Sequence, residues 1–245
     1  MTALHFIYLV SGRNRRQDGI MDNNHYLIKD KEYFSNIRKD VISLLPSEPT
    51  QKVLEIGAGG GDTLLYIKEN KLAGEVMGVE QVQLPDSNQQ HPLIDRFQVA
   101  DIEREDINAP EEYFDIIICA DVLEHLADPW RAVTRISRYL KKGGRLIASI
   151  PNIRECKTLF RIIFLGDFRY DTRGGIIDNT HLRFFCKKNI KQLLSTDSLF
   201  PIYCKPNILL KEVPEGRKRR LINRCTFGLF LDFLAIQYLC IAEKK

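Results

Sequence analysis

A chain of 245 residues with 44% hydrophobic and 28% charged side chains can bury one substantial core, and it is too evenly polar for a disordered or membrane-embedded protein. Its net charge of +4 is mild, so no nucleic-acid partner is expected. The six cysteines, at 119, 156, 186, 204, 225 and 240, form no C-x-x-C pair and no zinc-like spacing, which suits reduced, small apolar thiols in a cytoplasmic protein.

Leu4 to Val10 is apolar, but the basic cluster Arg13-Asn14-Arg15-Arg16 follows it, the reverse of a secretory signal. Residues 1–24 are expected to be a poorly ordered N-terminal extension, with Met21 a plausible start, and residues 25–245 to form one domain. From Lys31 to Leu45, Phe34, Ile37, Val41, Leu44 and Leu45 recur at helical spacing until Pro46 and Pro49 end the pattern.

Val53-Leu54-Glu55-Ile56 reads as a short buried strand that runs directly into Gly57-Ala58-Gly59-Gly60-Gly61-Asp62, and Thr63 to Ile67 continues with helical spacing. Glycine there lets the backbone approach a ligand. A dinucleotide fingerprint needs Gly or Ala at the sixth position of G-x-G-x-x-G, and Asp62 occupies it, which disfavours a pyrophosphate-binding oxidoreductase. Gly74 to Glu80 is a second strand ending in an acid. Residues 81–95 are polar, carry Pro85 and Pro92, and predict a short or absent helix. Phe97 to Glu103 is the third strand and its exit. Tyr113 to Ala120, apolar on both faces, is a central parallel strand. Asp128 and Pro129 cap and open a helix to Leu140, Lys141 to Gly144 ends it, and Arg145 to Ile150 is the fifth strand.

The acid-x-Gly-x-Gly-x-Gly pattern at Glu55, Gly57, Gly59 and Gly61, followed in order by Glu80, Asp101 and the L-K-K-G-G turn, resembles the class I S-adenosylmethionine-dependent methyltransferases over residues 53–151. That resemblance implies a Rossmann-like α/β fold with a seven-stranded, mostly parallel sheet, its last strand antiparallel, and helices on both faces. It also implies S-adenosylmethionine as cofactor. The donor has an ammonium and a sulfonium and no phosphate, so an acid at the strand end favours it. The resemblance places the donor against Glu55, Gly57, Ala58, Gly59 and Gly61, with Glu80 on the ribose hydroxyls, Asp101 and Ile102 on the adenine, and Ala120 and Asp121 at the strand-4 exit. Taken alone, Glu80 would read as a surface acid, and the alternative for Asp101 is a helix N-cap.

Residues 152–185 form a lid or acceptor-side insertion, and its Pro151-Asn152 exit and Thr180 to Phe185 run resemble a bacterial subgroup associated with surface-polysaccharide and cell-envelope sugar biosynthesis. A small-molecule or saccharide hydroxyl is therefore the expected acceptor. Removal of its proton needs a base; His125 at the strand-4 exit is the first candidate and His181 on the lid the second. Asp121, Glu124 and His125, at i, i+3 and i+4, resemble a stretch linked to a divalent metal in quinone O-methyltransferases, and equally an ordinary polar edge; no metal is assigned. Lys187 to Leu194 predicts the next helix and Pro201 to Lys205 a strand. Pro214 to Phe227 is a basic helix whose Arg217-Lys218-Arg219-Arg220 run is a solvated face or a contact for a membrane surface or lipid-linked substrate. Gln237 to Ala242 closes the sheet. The rival functions are an NAD-dependent oxidoreductase and a non-catalytic cofactor-binding module that regulates a partner.

Overall fold

A computed structural model describes residues 37–172, 174–208 and 214–245. The expected extension 1–24 and the start of the first predicted helix lie outside the described residues. Within them, that helix contributes only α1 (Lys39–Ile42) before the Pro46 region turns the chain into β1 (Lys52–Ile56). The remaining order is α2 (Asp62–Glu69), β2 (Glu75–Glu80), β3 (Arg96–Val99), β4 (Phe114–Ala120), α3 (Pro129–Ser137), β5 (Leu140–Pro151), α4 (Cys156–Leu165), α5 (Lys187–Leu193), β6 (Leu199–Asn207), α6 (Pro214–Cys225), α7 (Leu231–Leu234) and β7 (Gln237–Lys244).

The seven strands form one sheet in the order β3-β2-β1-β4-β5-β7-β6. The pairs among β1 to β5 are parallel, and β7 runs antiparallel to both its neighbours. Alternation along the central strands divides the core between two faces. Leu54, Ile56, Ile117 and Cys119 pack on one side with α3 and α5, while Val53, Ile116 and Ile118 pack on the other with Leu64 and Ile67 of α2. Strand order reverses between β1 and β4, which opens a crevice at their carboxyl ends.

Several local expectations are met. Asp128 accepts from Arg131 N at 3.0 Å and Pro129 is the first helical residue of α3. Residues 81–95 form only a 3₁₀ turn, Asn88–Gln90. Two expectations are corrected. The Lys141 to Gly144 segment does not separate a helix from a strand: α3 stops at Ser137, and β5 starts at Leu140 opposite Phe114, with a register irregularity before Ile116 pairs with Arg145. Nor are all the cysteines thiols, because Cys204 of β6 and Cys240 of β7 face each other in register and are bridged. Spacing along the sequence could not reveal this, since the pairing is set by antiparallel register. Among the described residues no helix is long and apolar enough to cross a membrane.

Candidate functional site

The glycine turn is fixed from beneath and from above. Gly57 N and Ala58 N both donate to Val79 O, at 2.8 and 3.1 Å, which ties the turn to β2. At Gly57 φ is +68°, and an added Cβ would stand 2.4 Å from Val122 Cγ2. Glycine is therefore required there both by conformation and by the β4 exit pressed against it. The polar segment in place of the missing helix folds back over the turn: Asn88 N donates to Gly60 O at 2.8 Å, and buried Gln89 donates through Nε2 to Gly59 O at 2.9 Å. Asp62, at the start of α2, accepts from Asn88 Nδ2 at 3.0 Å.

A cavity of about 480 Å³ opens at this end of the sheet, lined by Gly57, Glu80, Asp101, Ile102, Val122 and His125 among others. Glu80 is buried, and its carboxylate accepts from Gly59 N at 2.9 Å and Gln81 N at 2.7 Å. Burial raises its pKa, an effect the backbone donors only partly offset. Asp101 lines the cavity while also organising its own turn, accepting from Glu103 N at 2.9 Å. No helix follows Asp101, so it closes a turn rather than capping a helix. Ile102 is buried beside it. Ala58, Gly59 and Gly61 belong to the turn behind the cavity, and Ala120 ends β4.

Glu55 lies below the turn, 3% exposed, and one of its oxygens has no hydrogen-bond partner. Burial pushes its pKa up to about 8; Arg38 opposes the shift, and Glu80 and Asp62 add to it. Arg38 has no counterpart in the sequence reading. It bridges to Asp121 and Asp40 and donates to Ser149 Oγ at 2.9 Å. Burial alone would lower its pKa, but Asp121 and Asp40 hold it above the ordinary range. Nothing distinguishes Arg38 in the sequence except its place in a helical pattern read for its apolar face. Asp121 has φ +57°, and its carboxylate turns toward Arg38, Ser149 and Gln237, whose Nε2 donates to it at 2.8 Å.

That turn of the backbone separates Asp121 from the pair following it in sequence. The 3₁₀ turn begins only at Leu123, so the grouping Asp121, Glu124 and His125 on one helical face does not form. Instead Glu124, His125 and His181 offer ligand atoms that all lie within 4.8 Å of one another. Both oxygens of fully buried Glu124 lack hydrogen-bond partners, and one stands 4.0 Å from His181 Nε2. Burial raises the Glu124 pKa well above the carboxylate range, and Asp121 adds to the effect. The two candidate bases are neighbours, with ring centroids 4.7 Å apart and nearly perpendicular. His125 Nδ1 lies 3.2 Å from Thr180 O and His181 Nδ1 3.0 Å from Ile176 O. A carbonyl only accepts, so each Nδ1 carries the proton and each Nε2 is the basic nitrogen. Of the two, His125 lines the cavity.

A methyltransferase-domain family matches residues 28–196. The chain belongs to that family. S-adenosylmethionine is the family's cofactor, and this methyltransferase domain is an enzyme's domain. A ubiquinone biosynthesis O-methyltransferase of Hahella chejuensis is 28% identical over 131 residues, covering 52% of this chain and 54% of the relative. A protein of the same name from Coxiella burnetii is 32% identical over 116 residues, covering 45% and 48%. The chain thus spans about half the length of the curated relatives it matches. A solved S-adenosylmethionine-dependent methyltransferase from Archaeoglobus fulgidus superposes with a TM-score of 0.56 at 19% identity, covering 90% of this chain and 99% of that one. That likeness supports the fold.

Proposed function

We propose that this methyltransferase domain transfers the methyl group of S-adenosylmethionine to a hydroxyl of a small acceptor, with His125 as the base. The observation that carries the reading is that His125 lines the same cavity as Gly57, Glu80 and Asp101, with its Nδ1–H held on Thr180 O. In this reading Glu80 accepts from the ribose hydroxyls, Asp101 from the adenine amine beside Ile102, and the Gly57 to Gly61 turn admits the donor chain. Glu55 answers the donor's positive groups. The acceptor oxygen attacks the methyl carbon, the carbon–sulfur bond breaks, S-adenosylhomocysteine leaves, and the acceptor proton passes to His125 Nε2. Holding the two reactants in line supplies up to roughly 7–11 kcal/mol, and the base a further 10²- to 10⁴-fold.

A sugar-like acceptor is the first choice, on the Thr180 to Phe185 run that sets His181 beside His125 and Phe184 beside His181. Under the same proposal Arg217 and Lys218, the exposed part of the Arg217 to Arg220 run, offer a cationic surface to an acidic or lipid-linked acceptor. A quinone-type phenol is the second reading, favoured by the names of the relatives and by Glu124, His125 and His181. Both orphaned oxygens of Glu124 suit a divalent cation, which those three residues would hold and which would acidify a bound hydroxyl. The test is a labelled-methyl assay with sugars and catechol-type phenols, with and without chelator. His125→Ala should lower turnover by about 10²- to 10⁴-fold while donor affinity stays within a few-fold. Near-normal turnover in His125→Ala and loss in His181→Ala would assign the base to the lid. Tight donor binding with no acceptor methylated would favour a non-catalytic module.

A further inference from the structure

Helix α6 concentrates positive charge: its described side chains include Arg217, Lys218, Arg219, Arg220 and Arg224, and among them there is no acid. Arg219 turns inward. It is buried, donates to Leu234 O at 2.7 Å and bridges to Glu155, the N-cap of α4. That anchor fixes the helix on the body of the domain and leaves Arg217, Lys218 and Arg224 exposed.

Beyond Cys225 the chain reverses in a tight turn. Gly228 N donates to Asn223 O at 3.0 Å and Leu231 N to Gly228 O at 3.1 Å, closing a hairpin onto α7. At its tip Phe227 is 95% exposed and Leu229 81%. Phe227 also has φ +48°, a left-handed conformation that is uncommon and unfavourable for an aromatic residue. The exposed ring makes too little contact to offset that cost. Leu221, Ile222 and Phe230 extend the exposed apolar surface on either side. The hairpin is rooted where α7 enters β7, whose first residue, Gln237, reaches Asp121, so it belongs to the carboxyl-end rim of the sheet.

We propose that this α6–α7 hairpin docks the protein on an anionic bilayer surface. Phe227 and Leu229 enter the headgroup layer while Arg217, Lys218 and Arg224 lie over the lipid phosphates. Stable attachment to a bilayer surface takes two signals, and the hairpin has both an apolar tip and a polybasic flank. Charge decides against self-association. In a two-fold dimer the same patch meets itself, which would set this cationic helix against its own copy. The inference rests on the hairpin alone and is independent of the acceptor class.

The test is cosedimentation of the full chain with extruded phosphatidylcholine vesicles, with and without phosphatidylglycerol, at low and high salt. Binding is expected only with phosphatidylglycerol and should weaken as salt screens it. Phe227→Asn should lower the partition constant by roughly tenfold or more. Asn tolerates a left-handed φ, so the melting temperature should hold or rise, which separates loss of docking from loss of fold. Replacing Arg217, Lys218 and Arg224 by Gln should cost about fivefold for each cation. Four outcomes would overturn the proposal: no binding to phosphatidylglycerol vesicles, equal binding to both vesicle types, binding unchanged by the hairpin variants, or a lipid-free dimer that Phe227→Asn dissociates.

Discussion

Glu55 offers a direct test of how the donor is held. It is a buried carboxyl whose pKa burial pushes up to about 8, one pH unit above neutrality. At pH 7 about nine in ten free molecules therefore carry it protonated. If the donor's positive groups sit against it, binding favours the carboxylate, and about 0.9 proton should leave for each donor bound at pH 7. Donor affinity should then rise by about tenfold per unit as pH climbs towards 8, and level off above it. Isothermal titration in two buffers of different ionisation enthalpy, at one pH, reads the proton count from the difference in heat. Glu55→Gln should abolish the release. Stability follows the same linkage: the folded pKa lies above the ordinary 4.5, so the unfolded chain loses this proton first as pH rises. The loss of stability begins near pH 4.5 and is complete near 8, on the order of 5 kcal/mol, and Glu55→Gln should escape it. Equal proton release by wild type and Glu55→Gln would refute the assignment.

Two further substitutions separate binding from architecture. Glu80→Ala should weaken donor affinity by roughly 10- to 150-fold through the lost ribose hydrogen bonds. It should also lower stability by about 1–3 kcal/mol, because Gly59 N and Gln81 N lose their acceptor; titration and chemical denaturation read the two effects separately. Gly57→Ala places a Cβ 2.4 Å from Val122 Cγ2 at a positive φ, so it should lose on the order of 1–3 kcal/mol and most donor affinity. Val122→Ala in the same chain should restore only the steric part, and full recovery in a denaturation curve would show that φ does not matter there.

The parts of this domain that the sequence disclosed are those with a local cause. The β1 run, the glycine turn and the Asp128-Pro129 start of α3 are dictated by periodicity, by positive φ and by capping, all of which act within a few residues. What stayed hidden depends on residues far apart in the chain. Arg38 meets Asp121 and Ser149 only after α1, β4 and β5 have assembled, and Cys204 meets Cys240 only through the β6–β7 register. The Glu124 cluster was half legible. His125 and His181 were both identifiable as candidate bases, but their contact needs the insertion to fold back onto the β4 exit, where Leu182 N and Arg183 N donate to Glu124 O at 2.9 and 3.0 Å. Helical spacing suggested Asp121 as the third member; the positive φ at that residue replaced it with His181.

The two ends of the sheet show which one is built for a ligand. At the amino end, burial opposes the charge on Glu75 and Asp95, yet partners outweigh it. Glu75 takes Tyr113 Oη at 2.7 Å and Arg96 at 2.6 Å, Asp95 takes Lys68 and Val76 N, each at 2.8 Å, and both pKa values fall. At the carboxyl end the same opposition comes out the other way: Glu55, Glu80 and Glu124 are buried and all three are raised. Amino-end packing shows that the chain can satisfy a carboxylate with its own cations. At the carboxyl end Arg38, the cation those acids lack, is already engaged by Asp121 and Asp40. Three acids held near one crevice without full compensation raise the free energy of the empty site. A ligand that brings positive charge and hydrogen-bond donors relieves that cost, so these electrostatics favour S-adenosylmethionine over a dinucleotide.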